Sequence, residues 1–283
     1  MNPIWITGAN GFIGSHLVQA APRYAPHWPV RALTRDQFDL LDFPAVRRQF
    51  QQDRPRLVIH CAAVTVVADA QKDPAFTRRM NVEVTRFLAE LAADIPFIFF
   101  STDLVFDGCK GNYRESDAPN PLQVYGETKL AAESVILKNP RHLVVRTTLN
   151  AGISRSGQRA FNELLRLSLQ RAGQGMKLFT DEFRCPIPVV ETARAIWELA
   201  KKDCAGLYHL AGAKKMSRWD IGRLFAQRWP ELQSRIEPGL TTDFPGPPRA
   251  LDTSLDISRV QAVLSLPLPA LDAWVAAHPQ EIF

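Results

Sequence analysis

"TGANGFIG", residues Thr7 to Gly14, places glycines at Gly8, Gly11 and Gly14 between an apolar run, "PIWIT", and an amphipathic stretch, "SHLVQAAPRY". The run reads as a buried strand and the stretch as a helix, so the glycines occupy the turn that joins them. Glycine permits a tight turn and close approach of backbone to a ligand, and a helix N-terminus offers unpaired N–H groups to a pyrophosphate. Alone, such a pattern is weak. With a strand before it and a helix after it, it points to a dinucleotide site.

Outward from this turn, apolar runs alternate with amphipathic stretches. "VRALT", "RLVIHCAA", "PFIFFSTD" and "HLVVRT" read as strands; "FPAVRRQFQQ", "PAFTRRMNVEVTRFLAELAAD" and "VYGETKLAAESVILK" read as helices. This alternation predicts an α/β fold, a doubly wound parallel sheet of the Rossmann type with helices on both faces, over residues 1–150. Continuous apolar strands such as "FIFF" suit a sheet covered on both sides. Beyond residue 150 the pattern loosens, which predicts a smaller C-terminal substrate lobe from 151–186 and 203–283, with 187–202 returning to the first domain. "GLYHLAG" is read as a short strand of that lobe.

Composition narrows the function classes. Hydrophobic residues make up 46% and charged residues 22% of the 283, which are globular values. The formal charge of +5 is dispersed along the chain, unlike the concentrated Lys/Arg surface of a nucleic-acid protein. No apolar run approaches the roughly 20 residues needed to span a bilayer. Cys61, Cys109, Cys185 and Cys204 form no CxxC, and the six histidines form no HxH or HxxxH, so free thiols and no metal site are expected. These features predict a cytoplasmic enzyme for an anionic small molecule, with no nucleic-acid or membrane partner.

After the second strand, an NAD site usually carries an acidic residue for the ribose 2′-hydroxyl. Here Thr34 and Arg35 stand at the turn, and Asp36 comes one place later. Arg35 suits the 2′-phosphate of NADP, or is a solvated surface arginine; the reading preferred here is NADPH, with NADH possible. Tyr125 and Lys129 in "VYGETK" are four residues apart, about 6 Å of helical rise, so both lie on one helix face. A tyrosine of pKa about 10 is a poor acid–base group at neutral pH. The ammonium and an oxidised nicotinamide are expected to lower it by about three units, roughly 4 kcal/mol of differential stabilisation.

"TGANGFIG", "DLLD", "HCAA", "NV" at Asn81 and Val82, "STD" at Ser101 to Asp103 and "YGETK" occur together in order. In this the chain resembles the extended short-chain dehydrogenase/reductase family. "STDLVFDG", "TDEFRCPIPV", "GLYHLAG" and "LDTS" resemble its dTDP-4-dehydrorhamnose reductase branch, so the likeness runs almost end to end. The resemblance implies Tyr125 as proton donor, Lys129 as its electrostatic partner and ribose ligand, Thr102 as the hydroxyl on the substrate oxygen, and Asn81 as holder of a relay water. It implies a cofactor site of Gly8, Asn10, Gly11, Phe12, Ile13, Gly14, Thr34, Arg35, Asp39, Leu40, Cys61, Ala62 and Ala63, together with Tyr125 and Lys129, and substrate contacts from Thr65, Asp103 and Arg184.

Sugar-nucleotide 4,6-dehydratases resemble one another in a Thr-Asp-Glu triplet, where the acids eliminate water. Leu104 follows Asp103 here and cannot move a proton, which disfavours dehydration. The expected activity is NADPH-dependent reduction of a nucleotide-activated 4-keto-deoxysugar. A non-catalytic NADP-binding regulatory subunit and a sugar-nucleotide epimerase are the alternatives. Leu104, Val64 and "RTTLNAG" depart from the branch near the expected cleft, so the sugar is left open. Other positions also carry two readings. Arg184 suits a phosphate or a structural salt bridge, Thr65 a substrate contact or a cap, and Asp42 a cap for "FPAV" beside an adenine-lining Asp39 and Leu40. "FNELLRLSLQ" suits a homodimer seam or core packing.

Overall fold

The computed structural model describes residues 1–154, 160–168, 175–244, 246 and 249–280. Six strands form one parallel sheet: β1 (Ile4–Thr7), β2 (Val30–Leu33), β3 (Leu57–His60), β4 (Phe97–Thr102), β5 (His142–Thr147) and β6 (Gly206–Leu210). Their spatial order is β6-β5-β4-β3-β1-β2. Every residue of β1, β3, β4 and β5 is buried. Successive side chains alternate between two apolar cores, as the two-residue period of a strand requires. Phe97 and Phe99 enter the core that holds Trp5, Leu88 and Ile136, while Ile98 and Phe100 enter the one that holds Ile6, Leu17 and Trp197.

Helices close both faces: α1 (Phe12–Tyr24), α2 (Phe43–Asp53), α3 (Val84–Leu91), α4 (Val124–Ile136) and α5 (Val189–Lys201). Asp42 caps α2 by accepting a hydrogen bond from the Ala45 amide at 2.9 Å. Helix α5 is tied to α1 where the buried Trp197 indole donates to the Leu17 carbonyl at 3.0 Å. The long helix read from "PAFTRRMNVEVTRFLAELAAD" contains a π-turn, Arg79–Glu83, between Pro74–Arg78 and α3. Such a turn inserts one extra residue and re-aims the helical segment beyond it.

One expectation fails here. "GLYHLAG" is not a strand of the second lobe; its Gly206–Leu210 is β6 and pairs in parallel with Leu143–Thr147 of β5. A short strand does not carry its partner in its own sequence. Here the partner is the edge of β5, and Tyr208 and Leu210 complete the core beneath α1 and α5.

The C-terminal lobe contains two small strand pairs, Met176–Phe179 with Ile236–Gly239 and Phe183–Arg184 with Met216–Ser217. Its helix α6 (Arg218–Arg228) starts at a reciprocal Ser217–Asp220 capping box, and its core gathers Leu178, Ile221, Phe225 and Trp274. The helix read from "FNELLRLSLQRAG" spans Phe161–Ser168, and the rest of that stretch lies outside the described residues. Among the described residues no helix is long and apolar enough to cross a membrane.

Candidate active site

Strand order reverses between β1 and β3, and in open α/β sheets ligands bind outside the carboxyl ends of the strands at such a point. Gly8, at φ +64°, turns the chain out of β1. A Cβ on it would lie 2.7 Å from the Ala62 nitrogen, and one on Gly14 would lie 2.3 Å from the Gly8 carbonyl oxygen. Only glycine lets the turn, α1 and the Cys61–Ala63 segment come this close. No side chain caps α1, so its first amides are left for another acceptor. This cradle fits the pyrophosphate of a dinucleotide.

Thr34 is half-buried at the end of β2, and Arg35 beside it is exposed with no hydrogen bond or ion pair among the described residues. Leu40 is buried in the core beneath α2, while Asp39 is exposed and accepts from the Leu41 amide at 2.9 Å. The β1–β2 pairing sets Thr7 opposite Leu33 and so brings the Thr34–Arg35 turn out at the same sheet end as the glycine turn.

The start of α4 presses on the end of β4, since a Cβ on Gly126 would lie 2.3 Å from the Leu104 carbonyl oxygen. This contact sets the Tyr125 hydroxyl beside Thr102. One turn on, the buried Lys129 ammonium sits 4.0 Å above the Phe99 ring and within electrostatic reach of Cys61. Thr102, Tyr125 and Lys129 thus converge at the carboxyl ends of β3 and β4, beside the glycine turn.

Their electrostatics differ from the sequence expectation. Burial pushes the Tyr125 phenol up to about 12; the Thr102 hydrogen bond pulls it down, and the Asp103 charge raises it again. Burial also pushes Lys129 down to about 7, against upward pulls from Glu133 and Cys61. The protein's own groups therefore leave the phenol raised, because taking it out of water outweighs the downward pull of the Thr102 hydroxyl. Burial raises the Cys61 thiol. His60, a packed strand residue, is pushed down to about 3 by burial and the Lys129 charge, and bonds Thr7 at 2.7 Å and Thr85 at 3.0 Å.

Three other expected site residues are engaged within the protein. Asn81 spends both amide hydrogens on the Val64 carbonyl and Thr128 Oγ1, each at 3.1 Å, and its side-chain oxygen accepts from the Val64 amide at 2.8 Å. Its side chain holds the loop after β3 against α4. Asp103 is 4% exposed and accepts from Thr148 at 2.9 Å and Thr253 at 2.7 Å, which turns it away from a substrate. Arg184, also 4% exposed, is ion-paired with Asp103 at 3.4 Å and Glu182 at 3.3 Å, so the salt-bridge reading holds and the phosphate reading does not. Thr65 is exposed at the mouth of the loop after β3.

Sequence reasoning missed a buried network behind the site. Glu133 and Arg146 are 1% and 3% exposed and meet at 2.7 Å; Ser101 donates to Glu133, and the Arg146 guanidinium lies over the Phe106 ring. Glu133 follows Lys129 by one helical turn, and that spacing was the available signal. In the C-terminal lobe the fully buried Glu182 pairs with Arg218 at 2.8 Å and Arg249 at 2.7 Å as well as Arg184. Burial alone would raise that carboxyl, and the three guanidiniums overcome it and hold it at about 2. Among the described residues no group of three or more His, Cys, Asp or Glu converges to hold a metal ion.

Comparison with known proteins places the chain. It is 29% identical to the dTDP-4-dehydrorhamnose reductase of Sinorhizobium fredii, over 93% of this chain and 92% of that protein. It is 28% identical to methionine adenosyltransferase 2 subunit beta of Xenopus tropicalis, over 91% of this chain and 81% of that one. Its fold superposes on the crystal structure of dTDP-4-dehydrorhamnose reductase from Bacillus anthracis in complex with NADP, with a TM-score of 0.86 at 23% identity and 98% of each chain covered. The model of the RmlD substrate binding domain matches residues 1–281, and the chain belongs to that family.

Proposed function

We propose that this protein is an NADPH-dependent reductase of the 4-keto group of a nucleotide-activated deoxysugar, with a dTDP-6-deoxy-4-keto sugar as the first substrate to try. The observation that carries this reading is the convergence of Thr102, Tyr125 and Lys129 beside the glycine cradle. The resemblance to a dTDP-4-dehydrorhamnose reductase supports the substrate class.

The cradle of Gly8, Gly11 and Gly14 and the amides of α1 would hold the pyrophosphate, Arg35 the 2′-phosphate, and Lys129 the nicotinamide ribose. When bound, the nicotinamide supplies hydride to the substrate carbonyl carbon. Tyr125, with a pKa of about 12, is a phenol at neutral pH and so carries the proton that the carbonyl oxygen needs as it becomes an alkoxide. Thr102 holds the same oxygen. Lys129, pushed down to about 7 by burial, stabilises in its charged form the tyrosinate left behind.

The test is NADPH oxidation with a panel of dTDP-4-keto-6-deoxy sugars. Tyr125→Phe is expected to lower kcat at least 100-fold, the usual range for loss of a general acid, and to leave the NADPH Kd within about twofold. Turnover within about tenfold of the wild type refutes the assignment. The resemblance to a methionine adenosyltransferase subunit gives weak support to a second reading, a non-catalytic NADP-binding subunit; that reading predicts cofactor binding with no turnover on any sugar of the panel. An epimerase would retain its cofactor, so release of NADP on each turnover separates it from the reductase.

A further inference from the structure

The Lys129 ammonium is buried yet makes no hydrogen bond or ion pair among the described residues. Its Nζ lies instead 4.0 Å from the centroid of the fully buried Phe99 ring. An ammonium over the face of a ring is attracted by the negative face of the ring quadrupole, most strongly where water is excluded. Phe99 belongs to β4, and its register partner in β3 is His60.

The other ionisable groups around the ammonium leave this contact to itself. Glu133, one helical turn on, is taken up by Arg146 at 2.7 Å and by Ser101. Burial keeps the Cys61 thiol and the Tyr125 phenol protonated. The His60 ring packs beside Phe99, with centroids 6.0 Å apart and planes at 23°. Its charge follows from counting hydrogens. Thr85 gives its hydrogen to the Asn81 carbonyl at 2.7 Å, so His60 Nε2 is the donor to Thr85 Oγ1 at 3.0 Å. Thr7 Oγ1 accepts from the Ala62 amide at 3.3 Å and gives its own hydrogen to His60 Nδ1 at 2.7 Å. A ring that donates at Nε2 and accepts at Nδ1 is neutral, so Lys129 faces no second cation.

We propose that Phe99 is a positioning residue whose ring face holds the Lys129 ammonium while leaving its hydrogens free for the nicotinamide ribose and the Tyr125 oxygen. This rests on the reading of Lys129 as ribose ligand and partner of Tyr125, and deepens it. A carboxylate in the same place would also hold the ammonium, but it would take N–H bonds in fixed directions and offset the field that favours a tyrosinate. A ring face attracts the charge without claiming a particular hydrogen.

The experiment keeps the shape of the ring and drains its face. Phe99 is replaced in the whole chain by its mono-, di- and trifluorinated analogues, and Lys129 is titrated by NMR of isotope-labelled lysine ε-carbons. The signal missing from Lys129→Met identifies it. The midpoint, about 7 in the wild type, is expected to fall with each added fluorine, by at least about half a pH unit across the series. A second arm measures the NADPH Kd against pH. The pH above which binding weakens is expected to move down by the same interval, because a neutral amine gives weaker hydrogen bonds to the ribose hydroxyls.

A midpoint that does not follow the fluorine count, in chains whose circular dichroism matches the wild type, overturns the proposal. So does a shift seen in Phe99→Leu and absent from the fluorinated series, which would make Phe99 a packing residue only. The monofluorinated ring is nearly isosteric with the native one, so its titration decides the matter should the trifluorinated chain fail to fold. A midpoint that moves while NADPH binding keeps its pH dependence upholds the ring contact and refutes Lys129 as the ribose ligand, which tells the two failures apart.

Discussion

The ion pair between α4 and β5 offers the sharpest test of how this fold is held. Arg146 gives Glu133 three hydrogen bonds: Nε to the two carboxylate oxygens at 3.0 and 3.2 Å, and Nη2 to Oε2 at 2.7 Å; Ser101 supplies the fourth. Arg146→Leu removes three of those four and strands a carboxylate that is only 1% exposed. Removing one partner of a buried pair typically costs about 3–5 kcal/mol, because the other charge is left without water or counter-charge. Against a total stability of about 5–15 kcal/mol, that loss brings the chain close to unfolding at room temperature. Urea unfolding of Arg146→Leu is therefore expected to show a midpoint far below the wild type. Glu133→Leu combined with Arg146→Leu replaces both charges by apolar volume and is expected to recover at least half of the loss. If Arg146→Leu costs under about 1 kcal/mol, or if the double variant is the sum of the two singles, the pair does not act as a coupled unit and the reasoning is wrong.

Two further predictions concern the site itself. Lys129 has a folded pKa of about 7, below its ordinary 10.5, so the folded chain binds fewer protons than the unfolded chain between those values and stability rises with pH across that window. The burden of the buried ammonium is complete below about pH 7 and fades toward pH 10.5; Lys129→Met should be more stable than the wild type at pH 7 by a margin that narrows at pH 9, and a pH-independent difference in urea midpoints contradicts this. Arg35→Ala should raise the KM for NADPH about tenfold, equivalent to about 1.4 kcal/mol, while leaving NADH within about twofold; equal effects on both cofactors remove Arg35 from the 2′-phosphate.

The candidate site was legible wherever its logic is local. Gly8, Gly11 and Gly14 declare a turn between strand and helix because each sits where a Cβ would strike backbone. Tyr125 and Lys129 declare one helix face by spacing alone. Asp42 was readable as a cap because capping is settled within three residues. Asp103 and Arg184 were not readable, since whether an ionisable side chain meets a substrate or another side chain depends on which remote segment folds over it. The partners of Asn81 were hidden for a related reason: Val64 and Thr128 come from two other segments and are brought to it only when the helix with the π-turn packs on α4.

The sequence by itself determined the parallel α/β sheet, the glycine turn between β1 and α1 and the shared helix face of Tyr125 and Lys129, because strand burial, glycine geometry and helical period are written in neighbouring residues. Only the tertiary structure decided that Gly206–Leu210 joins the main sheet, that Asp103 is clamped by Thr253 and Arg184 from the C-terminal lobe, and that burial pushes the Tyr125 phenol up. Each of these depends on burial and on charges brought together from distant parts of the chain, and an ionisable group's character is set by how much water and which counter-charges surround it after folding.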